Sequence, residues 1–205
     1  MKQHLTATHR ITLWATALLV TASVWAQVPL KVDPSATKLV WTGTKVTGSH
    51  NGTIDVTEGR VEWNADGLSG ATMTLDMASI KNTDLNQESA AKLERHLKSA
   101  DFFNTAEFGT AMFRTATVTK IMDAEVGKPN FTVTGDLTIK GITKPITFDV
   151  LAWREGKKAR VAGTAVFNRA NYDVRYGSAS FFNDIGDKMI EDNVMLTFDL
   201  SARED

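Results

Sequence analysis

Phe131-Thr-Val-Thr-Gly-Asp-Leu-Thr-Ile139 alternates without a break. Phe131, Val133, Leu137 and Ile139 fall on one side, and Thr132, Thr134, Asp136 and Thr138 on the other. A period of two is the mark of a strand with one buried and one wet face. The pattern returns along the chain, in Leu39 to Val46, Thr53 to Trp63, Leu68 to Ile80, Ala106 to Ile121, Thr143 to Trp153, Ala159 to Phe167 and Val194 to Ala202. That makes about eight strands. Asp66-Gly67, Lys140-Gly141 and Glu155-Gly156-Lys157-Lys158 read as the turns between neighbours. Glu58-Gly59, inside the second run, reads as a bulge or a turn. Antiparallel strands with one-sided apolar faces bury them by stacking as a sandwich or closing into a barrel, and only closure removes the edges. No repeat or linker divides the chain, so one domain is expected, with the stretch up to Ala36 as a tail.

One segment breaks the pattern. From Leu85 to Lys98, Ala90, Leu93 and Leu97 recur at helical spacing. Asp84, with Gln87 three residues on, reads as an N-cap and approximate capping box, and Lys92, Arg95 and Lys98 suit the C-terminal half. A single amphipathic helix near mid-chain thus runs into two adjacent rings, Phe102 and Phe103.

The start of the chain reads as a secretory signal. Lys2 and Arg10 precede an uncharged, mostly apolar run from Ile11 to Trp25, and Val24-Trp25-Ala26 offers a cleavage site before Gln27. The run is short for a membrane span, which needs about 20 residues. Residues 1–26 are therefore expected to be removed, leaving 27–205 as the working domain. Loss of Lys2 and Arg10 takes the balance from 23 basic against 24 acidic side chains to 21 against 24. Such a weakly acidic chain carries no basic footprint for nucleic acid. There is no cysteine, which excludes disulfides, thiolate zinc sites and thiol catalysis. A secreted chain without disulfides fits a periplasm.

Catalytic signatures are sparse. Only His50 and His96 remain after the signal, and H-E-x-x-H is missing, so no metal site is expected. Ser49 and His50 are strand neighbours and point to opposite faces, and no G-x-S-x-G elbow exists. Gly43 to Gly48 is not followed by a helix that could hold phosphate. What remains is apolar concavity. A barrel of about eight strands has an interior that side chains just fill or that holds one small ligand. Met73, Met77 and Met112 fall in barrel strands and adapt to irregular apolar shapes. On composition alone a filled core is the simpler reading.

Several motifs are more specific. His96-Leu-Lys-Ser-Ala-Asp-Phe-Phe103, followed by Glu107-Phe108 and Met112-Phe113, resembles the YceI-like family. So does Val133-Thr-Gly-Asp-Leu-Thr-Ile-Lys-Gly-Ile-Thr-Lys-Pro-Ile-Thr-Phe148. Trp41 with His50-Asn51-Gly52, and Phe167-Asn-Arg169, Tyr172 and Asp184-Ile-Gly-Asp187, match the family's opening and closing features in the same order. The chain departs from the family pattern at Leu93-Glu94-Arg95, at Gly109, where proline is usual, and at Asp173, where glycine is usual; Ser178 to Met189 reads as a longer, more aromatic insertion.

The resemblance implies a lipocalin-like, extended antiparallel β-barrel with a helix near mid-chain. It implies a periplasmic, non-enzymatic carrier of a long-chain amphiphile such as a polyisoprenoid or isoprenoid quinone, without cofactor. A homodimer is raised by the resemblance alone. Trp41, His50, Met73, Met77, Phe102, Phe103, Phe108, Met112, Phe148, Phe167, Arg169 and Tyr172 are the expected ligand contacts. The helix with Phe102 and Phe103 would wall the pocket, and Arg169 would meet a polar head group. Phe181 and Phe182 would form a docking patch if exposed and a plug if buried. Two rivals stay open. A protein-interaction module would have a filled interior and an exposed Phe181-Phe182 pair. An enzyme acting on an isoprenoid or quinone lipid would need a polar pair, such as His50 with a carboxylate, inside the pocket.

Overall fold

The computed structural model describes residues 28–183 and 186–204, so the expected signal segment lies outside the described residues. The strands are β1 (Val28–Val32), β2 (Lys38–Lys45), β3 (Gly48–Asn64), β4 (Gly67–Asn82), β5 (Thr110–Lys120), β6 (Phe131–Ile139), β7 (Ile142–Glu155), β8 (Lys158–Asn168) and β9 (Ile190–Arg203). The α-helix, α1, is Gln87–Lys98. Every strand pairing is antiparallel, in the order β1-β3-β2-β9-β8-β7-β6-β5-β4, and β3 also pairs with β4. Strands β2 to β9 thus close into an eight-stranded barrel, as the alternating faces predict.

The ninth strand was expected as a tail. β1 pairs with Arg60–Trp63 of β3 and with Ala202 and Arg203 of β9. β2 pairs with the other ends of those same two strands. β1 and β2 therefore share one seam of the wall, joined by the 3-10 turn Pro34–Ala36. Leu30 and Val32 point inward and are buried.

Glu58-Gly59 is a bulge within β3, not a turn. A Cβ on Gly59 would lie 2.5 Å from the Met73 sulfur, so glycine lets the bent strand close on β4. The Lys140-Gly141 turn has both residues at positive φ (50° and 72°), the type I′ pattern that matches hairpin twist. The usual glycine position at Asp173 is also left-handed, at φ 57°. Aspartate tolerates that region.

α1 starts two residues later than expected, and its N-cap is Asn86, whose side chain accepts from the Ser89 amide at 3.0 Å. Asp84 does not cap the helix. β5 begins only at Thr110, because turns occupy 100–107 after the helix. β3 begins at Gly48, earlier than expected; His50 therefore sits on a strand opposite Gly43 and not at a turn. The helix, the β2–β3 hairpin and the segment between β8 and β9 gather at one end of the barrel. The β7–β8 and β3–β4 hairpins mark the other, where Leu30, Val61, Phe131, Ala152, Ala159 and Ala202 pack it shut.

Candidate ligand-binding site

Toward the helix end the interior is hollow. A cavity of about 260 Å³ lies beneath α1, and a smaller one of about 80 Å³ lies deeper in the barrel. Leu75, Leu137, Phe167 and Leu196 line both and form the constriction between them. The strand faces that alternate in the sequence supply the walls. α1 supplies Leu93, His96 and Leu97 as a roof, and Phe102 and Phe103 continue it.

Seven of the twelve expected contacts line the upper cavity: Trp41, His50, Met77, Phe102, Phe103, Phe167 and Arg169. Met73 and Phe148 line the lower one, which Phe167 shares. Both Phe102 and Phe103 face the cavity, with ring centroids 5.4 Å apart. Three expectations need correction. Met112 is 49% exposed, because Ala111 and Phe113 take the inward positions of β5 and the pleat turns Met112 outward. Phe108 precedes β5 in a turn and lines neither interior cavity; it lies by the Gly141 turn. Tyr172 is buried in the 3-10 turn after β8, edge-on to Phe167, and also lines neither.

Arg169 reaches the cavity wall with its guanidinium committed to backbone carbonyls and an ion pair. Its guanidinium donates to the carbonyls of Val174, Tyr176, Ile190 and Glu191, and Nη2 lies 3.2 Å from Asp192 Oδ1. Its face covers the Phe102 ring at 5.4 Å. Burial lowers its pKa, and the Asp192 carboxylate opposes that shift. The side chain expected to meet a head group is instead the post that holds both ends of the 173–192 segment.

Trp41 has a similar tying role. Its indole N–H lies 3.2 Å from the carbonyls of both Thr53 and Lys81. Gly52 makes this possible, since a Cβ there would sit 1.8 Å from the Lys81 carbonyl oxygen and 2.6 Å from the indole. His50 Nδ1 lies 2.8 Å from Asp84 Oδ2. Asp84 Oδ1 also accepts from the Asn51 amide at 3.0 Å and from the Asn82 side chain. The hydrogen bond from His50, ahead of those from Asn51 and Asn82, holds the Asp84 carboxyl down to about 2.

Polar groups are few in the upper lining: Thr44, Lys45, His50, His96, Arg169 and Glu191. Thr44, Lys45 and Glu191 are exposed and mark the mouth. His96 was not among the expected contacts, although its spacing from Leu93 puts it on the helix's apolar face. Its ring packs edge-on to Tyr176 at 4.3 Å and to Phe102 at 5.5 Å, which joins the roof to the 173–192 segment. The lining aliphatics Ile54, Ile80, Ile139 and Val194 were missed because sequence cannot tell a cavity wall from a core. Phe181 and Phe182 line neither interior cavity and are 41% and 49% exposed, with Arg175 stacked 5.0 Å over Phe181. Among the described residues no cluster of histidines or carboxylates is grouped to hold a metal, and no helix is long and apolar enough to cross a membrane.

A closed antiparallel barrel, hollow at one end and roofed there by a short helix, defines a lipocalin-like architecture. The YceI-like domain family matches residues 30–202, and the chain belongs to that family. Among curated relatives, a UPF0312 protein of Staphylococcus aureus is 38% identical over 109 residues, covering 50% of this chain and 57% of that protein. One of Ectopseudomonas mendocina is 32% identical over 112 residues, covering 52% and 53%. The chain spans little more than half the length of these relatives. Among solved structures, BcnA of Burkholderia cenocepacia superposes with a TM-score of 0.65 at 22% identity, over 83% of this chain and 99% of that one. A polyisoprenoid-binding domain from Saccharophagus degradans, implicated in plant cell wall breakdown, gives 0.61 at 16% identity, over 87% and 99%. At these identities the structural likeness concerns the fold.

Proposed function

We propose that the barrel is a periplasmic carrier that holds the hydrocarbon chain of a long-chain lipid of isoprenoid type, such as a polyisoprenoid or isoprenoid quinone, without chemical change. The observation that carries this reading is the cavity of about 260 Å³ walled by aliphatic and aromatic side chains, with the exposed Thr44, Lys45 and Glu191 at its mouth. The deeper chamber behind the Leu75–Leu137–Phe167–Leu196 constriction extends it for a linear chain. Ligand pockets have this makeup, an apolar wall with a few placed polar groups. The polyisoprenoid-binding relative supports the choice of lipid. The enzyme rival called for a polar pair inside the pocket. His50 and Asp84 do pair, but Asp84 stands outside the lining.

Native mass spectrometry of the protein purified from its own periplasm, with solvent extraction, tests the proposal. A co-purifying species with a long apolar chain is expected, and the same spectrum reads whether one or two chains hold it. A protein that arrives empty and takes up no polyprenyl lipid in excess would overturn the reading.

A further inference from the structure

The carrier reading, on which this inference rests, leaves the polar end of the lipid undefined. The His50 ring supplies the definition. It lines the upper cavity, while Asp84 holds its Nδ1 from outside that lining. Asp84 is itself held ionised by His50, Asn51 and Asn82, and a carboxylate only accepts. Nδ1 must therefore carry the hydrogen. In the neutral imidazole the bare lone pair is then on Nε2. Nε2 lies on the ring edge away from Asp84, and it has no hydrogen-bond partner among the described residues.

We propose that His50 Nε2 is an acceptor that selects lipids ending in a hydroxyl. The ligand class is a prenyl alcohol or the reduced, phenolic form of an isoprenoid quinone. A quinone, an ether or an ester brings only acceptors to an acceptor, forms no hydrogen bond there and loses hydration on entry. Sites built to bond a ligand hydroxyl discriminate strongly against analogues that lack it. Asp84 is the positioning residue: it touches no ligand and fixes which nitrogen is bare. Lys45 and Glu191, of opposite charge, share the mouth, so the rim does not favour an anionic end group.

The test uses the chain without its signal segment at about pH 8.5, well above the ordinary imidazole value of about 6.5. Tryptophan fluorescence, to which the cavity-lining Trp41 contributes, reads titrations with geranylgeraniol, its methyl ether and geranylgeranyl phosphate. Wild type is expected to bind the alcohol about tenfold tighter than the ether, the scale of one well-placed hydrogen bond. In Asp84→Asn, the new amide accepts from Asn51 and Asn82 through its oxygen and turns its N–H toward Nδ1. The imidazole hydrogen then moves to Nε2, which nitrogen NMR reads directly, and the preference for the alcohol disappears or reverses. His50→Leu, which needs no such rearrangement, should lose the preference for the alcohol over the ether. Equal binding of alcohol and ether by wild type would overturn the proposal and leave the carrier reading standing. So would tighter binding of the phosphate, or a hydrogen that moves in Asp84→Asn while the preference stays. Binding of none of the three probes would overturn the carrier reading itself.

Discussion

At the scale of single residues, the helix end of the barrel is held by charged side chains with fixed partners, one exposed at Asp84 and one buried at Arg169. The Asp84 carboxyl is depressed to about 2 from an ordinary 3.8. A group whose folded value lies below its unfolded one stabilises the fold above the unfolded value. Its contribution should therefore be complete above about pH 4.5 and shrink as pH falls from there through about 2. The urea midpoints of wild type and Asp84→Asn, compared across that range, should differ by a constant amount at neutral pH and converge in acid. Arg169 makes a larger demand. A lysine there has one compact ammonium and cannot serve four carbonyls spread around a planar fork. Arg169→Lys leaves buried carbonyls unpartnered and should cost about 3–5 kcal/mol in urea unfolding. Hydrogen exchange should rise first in 174–192. Neither arrangement was legible beforehand. Asp84 reads as a helix cap, because aspartate before a helical pattern usually is one. Arg169 reads as a head-group contact, because its backbone partners leave no trace in side-chain identity.

At the scale of elements, alternation located the eight strands of the barrel because it reports burial directly, and of the two readings of Glu58-Gly59 the structure has the bulge. β6 runs from Phe131 to Ile139, as its pattern predicts. β1 escaped notice because five residues beginning Val-Pro are too few to show a period. Its worth comes from position, since it fills the half of a wall seam that β2 does not reach. Leu30 is fully buried there. Leu30→Ala should destabilise by about 2–5 kcal/mol, the range for a large-to-small change in a core. A denaturant titration checks it, and a cost below about 1 kcal/mol would mean that β1 is a dispensable tail. The pleat explains Met112 as well. A short turn after the helix sets the start of β5, and a shift of one residue exchanges inside for outside.

At the scale of the whole molecule, the barrel is packed at one end and hollow at the other. Filling the hollow should separate stability from capacity. Ala111 is buried and borders the upper cavity. Ala111→Leu places new methyl groups in that space and should raise stability by about 0.5–2 kcal/mol, as cavity filling does. The same change should lower the lipid recovered per chain in native mass spectrometry, whereas an ordinary core would be overpacked and lose stability. By itself, the sequence determined the class of fold, the one helix and the faces turned inward. These follow from periodicity and turn chemistry, which act between neighbours along the chain. Only the tertiary structure decided that the interior is hollow, that Asp84 answers His50 across 34 positions and that Arg169 is spent on backbone. Those outcomes depend on how far apart the walls stand once the barrel closes. The register shifts and the extra strand set that distance, and no local pattern encodes it.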